Sequence, residues 1–281
     1  MVDATNDASD TRPLILCAND DGIHSRGLKV LAEALSTFAR VVVVAPETEQ
    51  SATSHSITLH RPLRLRRVDV DRYALDGTPA DCVYLAVHLD APRDDGEPNV
   101  RVLPRKPDLV VSGINRGINL GQDVFYSGTV AAAREGALRG VPAIAASVEV
   151  KVDPAGVVRF DPSPVAELVV KIAKQVLALP KPVSGPALLL NLNAPMGPIR
   201  GVASTTLGTR LWTEAVDARL DPRGRPYFWI GGKGVAHAFV AGSDTEAFDA
   251  GLASLTALRL DLARDDEPAK QALRAITEAV R

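Results

Sequence analysis

The stretch that decides the fold lies near the N-terminus and reads Leu14-Ile15-Leu16-Cys17-Ala18-Asn19-Asp20-Asp21-Gly22. Its first part is an apolar run with the length of a buried β-strand. The run ends in two adjacent aspartates and a glycine, and a helical pattern begins near Arg26. Two carboxylates at the end of a buried strand repel each other and lose hydration, so they are tolerated mainly when a cation lies between them. The stretch therefore predicts a strand, a turn and a helix, with a divalent metal at the turn.

Apolar runs of the same kind recur along the chain and alternate with helical patterns. The runs lie at residues 41–45, 108–112, 141–147 and 187–193, and the helical patterns at residues 26–38, 78–88, 129–139 and 163–180. Runs rich in Val, Ile and Leu that are bounded by Gly, Pro or Asn are typical of strands buried on both faces. The alternation predicts an α/β fold with a doubly wound, mostly parallel sheet. We expect this core to span residues 14–193.

The chain changes character on either side of this core. Residues 1–13 are largely polar and acidic and are predicted to be a flexible tail. After Asn193, proline, glycine and aromatic residues become frequent, and residues 211–229 are predicted to form a projecting hairpin. A helical pattern with one apolar face closes the chain over residues 268–280. Residues 194–281 are therefore expected to form a C-terminal extension, and its exposed aromatic residues favour a subunit contact over a solvated loop.

Composition excludes several classes of protein. The formal net charge of −2 argues against a partner that is a nucleic acid polymer, because such binders normally carry a basic patch. No apolar run approaches the roughly 20 residues that span a bilayer, and the N-terminus does not resemble a signal peptide, so we expect no membrane association and a cytoplasmic location. Cys17 and Cys82 lie in apolar surroundings without metal or redox spacing, so both are predicted to pack in the core.

Polar segments follow several of the predicted strands and should meet at one edge of the sheet, where open parallel sheets bind ligands. Asp20 and Asp21 begin the set; a helix N-cap would explain one of these aspartates but not both. The segment at residues 45–56 carries serine and threonine hydroxyls, which suit Mg²⁺ or Mn²⁺, although an ordinary loop has the same composition. His55 in this segment is a candidate acid or phosphate contact, but a lone histidine in a loop is more often neither.

Two later segments carry groups that suit an anion. Residues 112–121 contain three glycines, and the exposed backbone amides expected in such a loop bind anions. In this loop Asn115 offers a neutral oxygen to a metal, and Asn119 can contact a substrate. Ser127 and Thr129 begin the third helical pattern, where hydroxyls and free backbone amides form a phosphate site, although plain helix capping explains them too. The spacing matches neither a dinucleotide fingerprint nor a P-loop.

Four passages together resemble the SurE family of metal-dependent 5′-nucleotidases, the stationary-phase survival proteins. They are NDDGIHSRGL at residues 19–28, LDGTPADCV at 75–83, SGINRGINLGQDVFYSGTVAAAREGA at 112–137 and DPRGRPYFWIGG at 221–232. The resemblance extends from Leu14 to Leu260. It implies a Rossmann-like core, a swapped C-terminal extension and a homodimer or homotetramer. It also implies hydrolysis of nucleoside 5′-monophosphates, with 3′-nucleotides and short polyphosphate as further substrates.

The resemblance also implies residue roles. One divalent cation per subunit, Mg²⁺ or Mn²⁺, would be ligated by Asp20, Asp21, Ser51 and Asn115. The phosphate would be bound by Asn115, Asn119, Ser127, Gly128 and Thr129, and the catalytic set would be Asp20, Asp21, Asn119 and Ser127. The expected reaction is attack of a metal-activated water on a phosphomonoester. Two alternatives remain at this point, a receiver-like signalling protein and a nucleotide-binding protein that depends on Mg²⁺ but is not catalytic.

Overall fold

The structure, a computed structural model, describes residues 10–89, 101–180, 187–212, 216–230 and 235–280. Most of the predicted N-terminal tail, residues 1–9, lies outside these ranges. The helices are α1 Arg26–Leu35, α2 Pro79–His88, α3 Gly128–Leu138, α4 Ser163–Ala178, α5 Asp244–Asp249 and α6 Glu267–Ala279. The strands are β1 Leu14–Ala18, β2 Arg40–Pro46, β3 Leu65–Asp69, β4 Arg72–Leu75, β5 Leu109–Arg116, β6 Ala143–Val148, β7 Lys151–Val152, β8 Val158–Arg159, β9 Leu189–Ala194, β10 Val202–Thr205, β11 Thr209–Trp212, β12 Val216–Leu220, β13 Pro226–Ile230, β14 Val235–Ala238 and β15 Ala253–Leu258.

The main sheet contains nine strands within the described part of the chain, in the order β10-β15-β9-β6-β5-β1-β2-β4-β3. The central strands β9, β6, β5, β1, β2 and β4 are all parallel. Antiparallel pairs occur where β15 meets β9 and where β3 meets β4. The predicted Rossmann-like, doubly wound and mostly parallel α/β sheet is confirmed.

Helices cover both faces of the sheet because the side chains of each strand alternate between the faces. In β1, Ile15 and Cys17 belong to the apolar cluster that includes α1 and α4. Leu14, Leu16 and Ala18 belong to the cluster on the other face, which includes α2 and α3. All five side chains are buried, and this double burial explains why the strand reads as a continuous apolar run.

Several boundaries differ from the predicted ones. Strand β5 continues through Arg116, beyond the predicted end at residue 112, with a register shift between Ser112 and Asn115. Part of the segment predicted as a loop is therefore strand. Helix α1 ends at Leu35 rather than residue 38, and Ser36 forms its C-cap. The pair β3–β4 was not predicted, because β3 lies at the sheet edge, where its arginines face solvent and the apolar pattern is absent.

The segment after residue 194 contributes to two structures. Its strands β12 and β13 form the predicted hairpin, whose side chains are exposed. Its strands β10 and β15, however, complete the main sheet beside β9. The predicted division into a core and an extension at residue 194 stays a prediction, and the sheet itself crosses that boundary. Helix α6 forms where the terminal helix was predicted and buries none of its side chains.

Two composition-based expectations concern the core and the membrane. Cys17 and Cys82 are both buried and free, as predicted from their apolar surroundings. Of the helices in the described ranges, none combines the length and the apolar character that crossing a bilayer requires.

Candidate active site

Polar segments at the carboxyl ends of parallel strands meet at one edge of the sheet. Strand β1 lies at the centre, with β2 on one side and β5 on the other. The chain adds β2 on one side of β1 and later adds β5 on the other side, so the strand order reverses at β1. Open α/β sheets form their ligand clefts at such a reversal. The segments that follow β1, β2 and β5 are the first three of the four predicted to carry chemistry.

Asp20 is the buried carboxylate of the pair, with 5% of its surface exposed. Its Oδ2 accepts a 3.0 Å hydrogen bond from the backbone amide of Thr129, and its Oδ1 accepts one from the Thr129 hydroxyl. Burial raises the pKa of Asp20, and the two hydrogen bonds from Thr129 oppose this rise. The N-terminus of α3 thus fixes the Asp20 carboxylate at the end of β1.

Asp21 lies beside Asp20 and is only partly buried. Its Oδ2 accepts a 3.3 Å hydrogen bond from the backbone amide of Arg116 at the end of β5. Burial, followed by the charge of Asp20, raises the pKa of Asp21 from 3.8 to about 6, and the nearby Glu49 adds to the rise. The site therefore concentrates negative charge, which favours binding of a cation.

The loop after β2 brings Ser51 to the site. Its backbone is attached to β1 through a 2.8 Å hydrogen bond from the amide of Gln50 to the carbonyl of Asp20. Ser51 itself is exposed, and its hydroxyl donates to Oε1 of Glu49 at 2.7 Å. Ala52 and Ser54 have positive φ angles of 57° and 56°, which cost backbone energy in residues other than glycine. Contacts elsewhere must hold the loop in this conformation.

These contacts come from two residues just before α3 and from one residue within it. The backbone amide of Ser54 donates to the carbonyl of Tyr126 at 3.0 Å, and its hydroxyl donates to the carbonyl of Phe125 at 2.6 Å. The ring of His55 lies 2.8 Å from Oε2 of Glu135, whose side chain is 3% exposed. Burial raises the pKa of Glu135, but hydrogen bonds from His55 and Arg139 lower it below its usual value. His55 therefore contacts a helix carboxylate, and we assign it neither the acid nor the phosphate role considered above.

Asn115 and Asn119 occupy the strand end and loop after β5. Nδ2 of Asn115 donates to the carbonyl of Gly117 at 2.8 Å, so its carbonyl oxygen is the atom available to a metal. Nδ2 of Asn119 donates to the hydroxyl of Ser147 at 2.8 Å. This orients the Asn119 side chain from the end of the neighbouring strand β6.

Two asparagines of β9 hold the backbone of Asn119. Oδ1 of Asn193 accepts from the Asn119 amide at 2.6 Å, while Nδ2 of Asn191 and Nδ2 of Asn193 donate to the Asn119 carbonyl at 2.9 and 3.1 Å. Both asparagines are fully buried. Our sequence reasoning missed this support. The sequence signal for this support was the pair of polar residues two positions apart in an otherwise apolar strand. Side chains two positions apart lie on the same face of a strand.

The N-terminus of α3 provides the predicted phosphate-binding groups. Ser127 is the N-cap, and its Oγ accepts a 3.1 Å hydrogen bond from the amide of Val130, which leaves the hydroxyl proton free to donate. Gly128 lies against Asp20: a Cβ at this position would come within 2.8 Å of the Asp20 Cβ. Glycine is therefore needed for the helix to approach the carboxylate. The Thr129 hydroxyl is engaged by Asp20, so it holds the carboxylate as well as bordering the phosphate position.

These elements enclose a cavity of about 560 Å³. Of the predicted site residues, Asp20, Ser51, Asn115, Asn119 and Ser127 line it directly. Asp21, Gly128 and Thr129 are not lining residues, but each lies against one: Asp21 against Arg116, and Gly128 and Thr129 against Asp20. The other lining residues are Ala52, Arg116, Ile118, Asp123, Tyr126, Arg210 and Ile230. Arg210 and Ile230 come from the C-terminal segment, and nothing in their local sequence identified them as site residues.

The donor atoms fit a hard divalent cation. Asp20, Asp21, Ser51 and Asn115 offer only oxygen ligands, which Mg²⁺ and Mn²⁺ prefer. Each oxygen of Asp20 accepts one hydrogen bond and retains a second lone pair for a metal. Nowhere in the described ranges are three or more His, Cys, Asp or Glu side chains grouped to hold a metal. A metal held by the aspartate pair would therefore take its further protein ligands from neutral oxygens, such as those of Ser51 and Asn115.

Comparisons with known proteins match most of the chain. The profile of the family described as Survival protein SurE matches residues 15–214. A protein named 5′-nucleotidase SurE from Sorangium cellulosum (strain So ce56) is 53% identical over 256 residues, covering 89% of this chain and 91% of the relative. One of the same name from Deinococcus radiodurans is 45% identical over 262 residues, covering 91% of this chain and 90% of the relative. The crystal structure of the SurE protein from Aquifex aeolicus matches with a TM-score of 0.73 at 36% identity, covering 96% of this chain and 100% of that chain.

Proposed function

The chain belongs to the SurE family, and on that premise we propose that it is a 5′-nucleotidase that hydrolyses nucleoside 5′-monophosphates to nucleoside and phosphate. The resemblance expected from the sequence motifs is thus confirmed. The observation that carries the proposal is the joining of an aspartate pair to a helix N-terminus. Asp20 accepts hydrogen bonds from Thr129, so the carboxylate proposed to ligate the metal directly contacts the helix end proposed to bind phosphate.

The proposed metal is one Mg²⁺ or Mn²⁺ per subunit, held by Asp20, Asp21, Ser51 and Asn115. When bound, such a cation neutralises charge on the phosphoryl oxygens and supplies a bound water of lowered pKa. The raised pKa of Asp21 supports this assignment, because a nearby positive charge would offset the crowding of negative groups.

The chain's own groups bind and orient the phosphate. The amides of Thr129 and Val130 already donate to Asp20 and to Ser127 Oγ, so the groups proposed to donate to phosphoryl oxygens at the start of α3 are the Gly128 amide and the hydroxyl of Ser127. Asn119 faces the same cavity, and its second Nδ2 proton can donate to a developing oxyanion. Because buried partners fix both groups, the scissile bond is held for in-line attack by water. This mechanism gives Asp20, Asp21, Asn119 and Ser127 the catalytic roles predicted for them.

The proposal is tested by phosphate release from AMP with Mn²⁺ and with EDTA. We expect release with Mn²⁺, none with EDTA, and recovery when the metal is returned. Binding of AMP without any metal-dependent release would favour a non-catalytic nucleotide-binding protein and refute the proposal. The same assay with 3′-AMP and a short polyphosphate tests the wider substrate range.

We extend the proposal to assembly, as a homodimer or homotetramer formed through the C-terminal segment. Leu273 and Ile276 of α6 are 62% and 61% exposed, and the hairpin exposes Phe228 and Trp229 to a similar degree. A helix of this length is marginal alone in water and gains stability by packing its apolar face. Light scattering on the full chain and on a Leu273→Ser/Ile276→Ser variant tests this, since a monomeric wild type would refute it. A cytoplasmic location belongs to the same proposal.

A further inference from the structure

The lining of the active-site cavity is divided by polarity. Carboxylate, amide and hydroxyl groups lie where the metal and phosphate are proposed to bind. The rest of the lining consists of the charged side chains Arg116, Asp123 and Arg210 and of an apolar part formed by Ala52, Ile118, Tyr126 and Ile230. A nucleoside monophosphate is divided in the same way, with a charged phosphate at one end and a flat base with apolar faces at the other.

Tyr126 is the aromatic residue of this apolar part. It directly precedes Ser127, lines the same cavity, and has 67% of its surface exposed. Its backbone is fixed on both sides: its amide donates to the carbonyl of Asp123 at 3.0 Å and its carbonyl accepts from Ser54 at 3.0 Å. The chain therefore presents an exposed ring from an immobilised backbone, which suits stacking of a planar ligand.

Ile230 reaches the same cavity from the end of β13, at the base of the hairpin. It is 92% exposed, more than any other large hydrophobic residue in the described ranges. A ligand that removes the surface of such a side chain from water gains binding free energy from the burial of apolar area. A tyrosine ring and an aliphatic side chain on one cavity can contact a planar base by stacking and by apolar contact.

We propose that Tyr126 and Ile230 form the nucleobase subsite, with Tyr126 as the stacking surface. The inference rests on the proposed function, which supplies the phosphate end of the ligand. Stacking is tolerant of base identity because every base has a π-face. The subsite therefore favours nucleotides over phosphomonoesters without a base, and purine over pyrimidine nucleotides through the larger stacking area.

The test compares AMP with ribose 5-phosphate, which has the same phosphate ester but no base. For the wild type we expect kcat/KM to be about tenfold higher for AMP, the scale of one base–aromatic stack. Tyr126→Ala should remove most of that advantage through KM, leave ribose 5-phosphate unchanged, and be rescued by Tyr126→Phe. Ile230→Ala should reduce the advantage by a smaller factor, about twofold to threefold.

Phe125→Ala is the matched control. Phe125 is the adjacent aromatic residue and is 50% exposed, but it does not line the cavity. We expect it to leave both substrates unchanged. Equal losses of kcat/KM for both substrates in Tyr126→Ala would show that Tyr126 has a structural role and would overturn the subsite. A wild type that hydrolyses both substrates equally well would also overturn it. A wild type that releases phosphate from neither substrate would overturn the proposed function itself.

Discussion

The two walls of the active site are built differently. One wall joins β1 to the N-terminus of α3, and its polar groups are buried and bonded to each other, as Asp20 is to Thr129. The other wall is the loop that carries Ser51, which is largely exposed, contains two strained φ angles and depends on contacts with α3. The charged centre is therefore fixed by the core, whereas Ser51, a proposed metal ligand, is positioned by an anchored surface loop. Changes in the first wall should therefore be more costly than changes in the second.

The largest effect should come from Asp20→Asn in the buried wall. We expect turnover of AMP to fall by about 10³-fold, because the proposed charged metal ligand is lost while the other proposed phosphate-binding groups remain. The protein should stay folded, since an asparagine oxygen can still accept from Thr129 and the cost of a buried charge is removed. Phosphate release and thermal unfolding check both parts. Near-normal turnover would contradict the metal assignment.

A smaller but still large effect is expected from Gly128→Ala. The new methyl group would meet the Cβ of Asp20 at 2.8 Å and must push the helix away from the carboxylate. A displacement of this kind at a catalytic site costs about 10²-fold in kcat/KM. The matched control is Gly201→Ala, where the nearest contact of the added Cβ is an ordinary 3.4 Å. Equal activity of the two variants would show that the close approach does not matter.

Acid should weaken metal binding at the aspartate pair through protonation of Asp21. Asp21 has a pKa of about 6 in the metal-free protein, so protons compete with the metal below that pH. Between pH 7 and pH 5 we expect the Mn²⁺ concentration for half-maximal activity to rise about tenfold.

The same pKa shift has a consequence for stability. The pKa of Asp21 in the folded protein is raised above the ordinary value of 3.8. Asp21 therefore stabilises the metal-free folded state at low pH, and this stabilisation is lost as the pH rises through about 6. Bound Mn²⁺ should therefore raise Tm more at pH 8 than at pH 5. An equal shift at both values would contradict the role of Asp21.

The smallest effect should come from the anchor of the loop. His55→Ala removes the contact with Glu135, which keeps its ion pair with Arg139 at 2.7 Å. If the conformation with Ser51 in place is then populated about a third of the time, the apparent affinity for the metal should fall about threefold. We expect kcat at saturating metal to be preserved. His60→Ala, an exposed histidine a few residues on, is the matched control. A loss in kcat without a change in metal requirement would show that His55 acts in another way.

The buried wall is also the part that the sequence predicts best. A run such as Leu14–Ala18 identifies its strand by composition, and adjacent aspartates at its end identify the charge cluster. What could not be predicted depends on tertiary contact. Arg210 and Ile230 reach the cavity from distant segments, and Asn193 supports Asn119 across 74 positions of sequence. The edge strand β3 was missed for a related reason, because a solvent-exposed strand does not need an apolar pattern.

The most direct test of the account is calorimetric titration of Mn²⁺ into the metal-free protein at pH 7.5. We predict one site per subunit in the wild type and loss of that site in an Asp20→Asn/Asp21→Asn variant that still unfolds cooperatively. Binding of Mn²⁺ by the folded double variant with unchanged stoichiometry and affinity would contradict the claim that the aspartate pair at the end of β1 holds the metal.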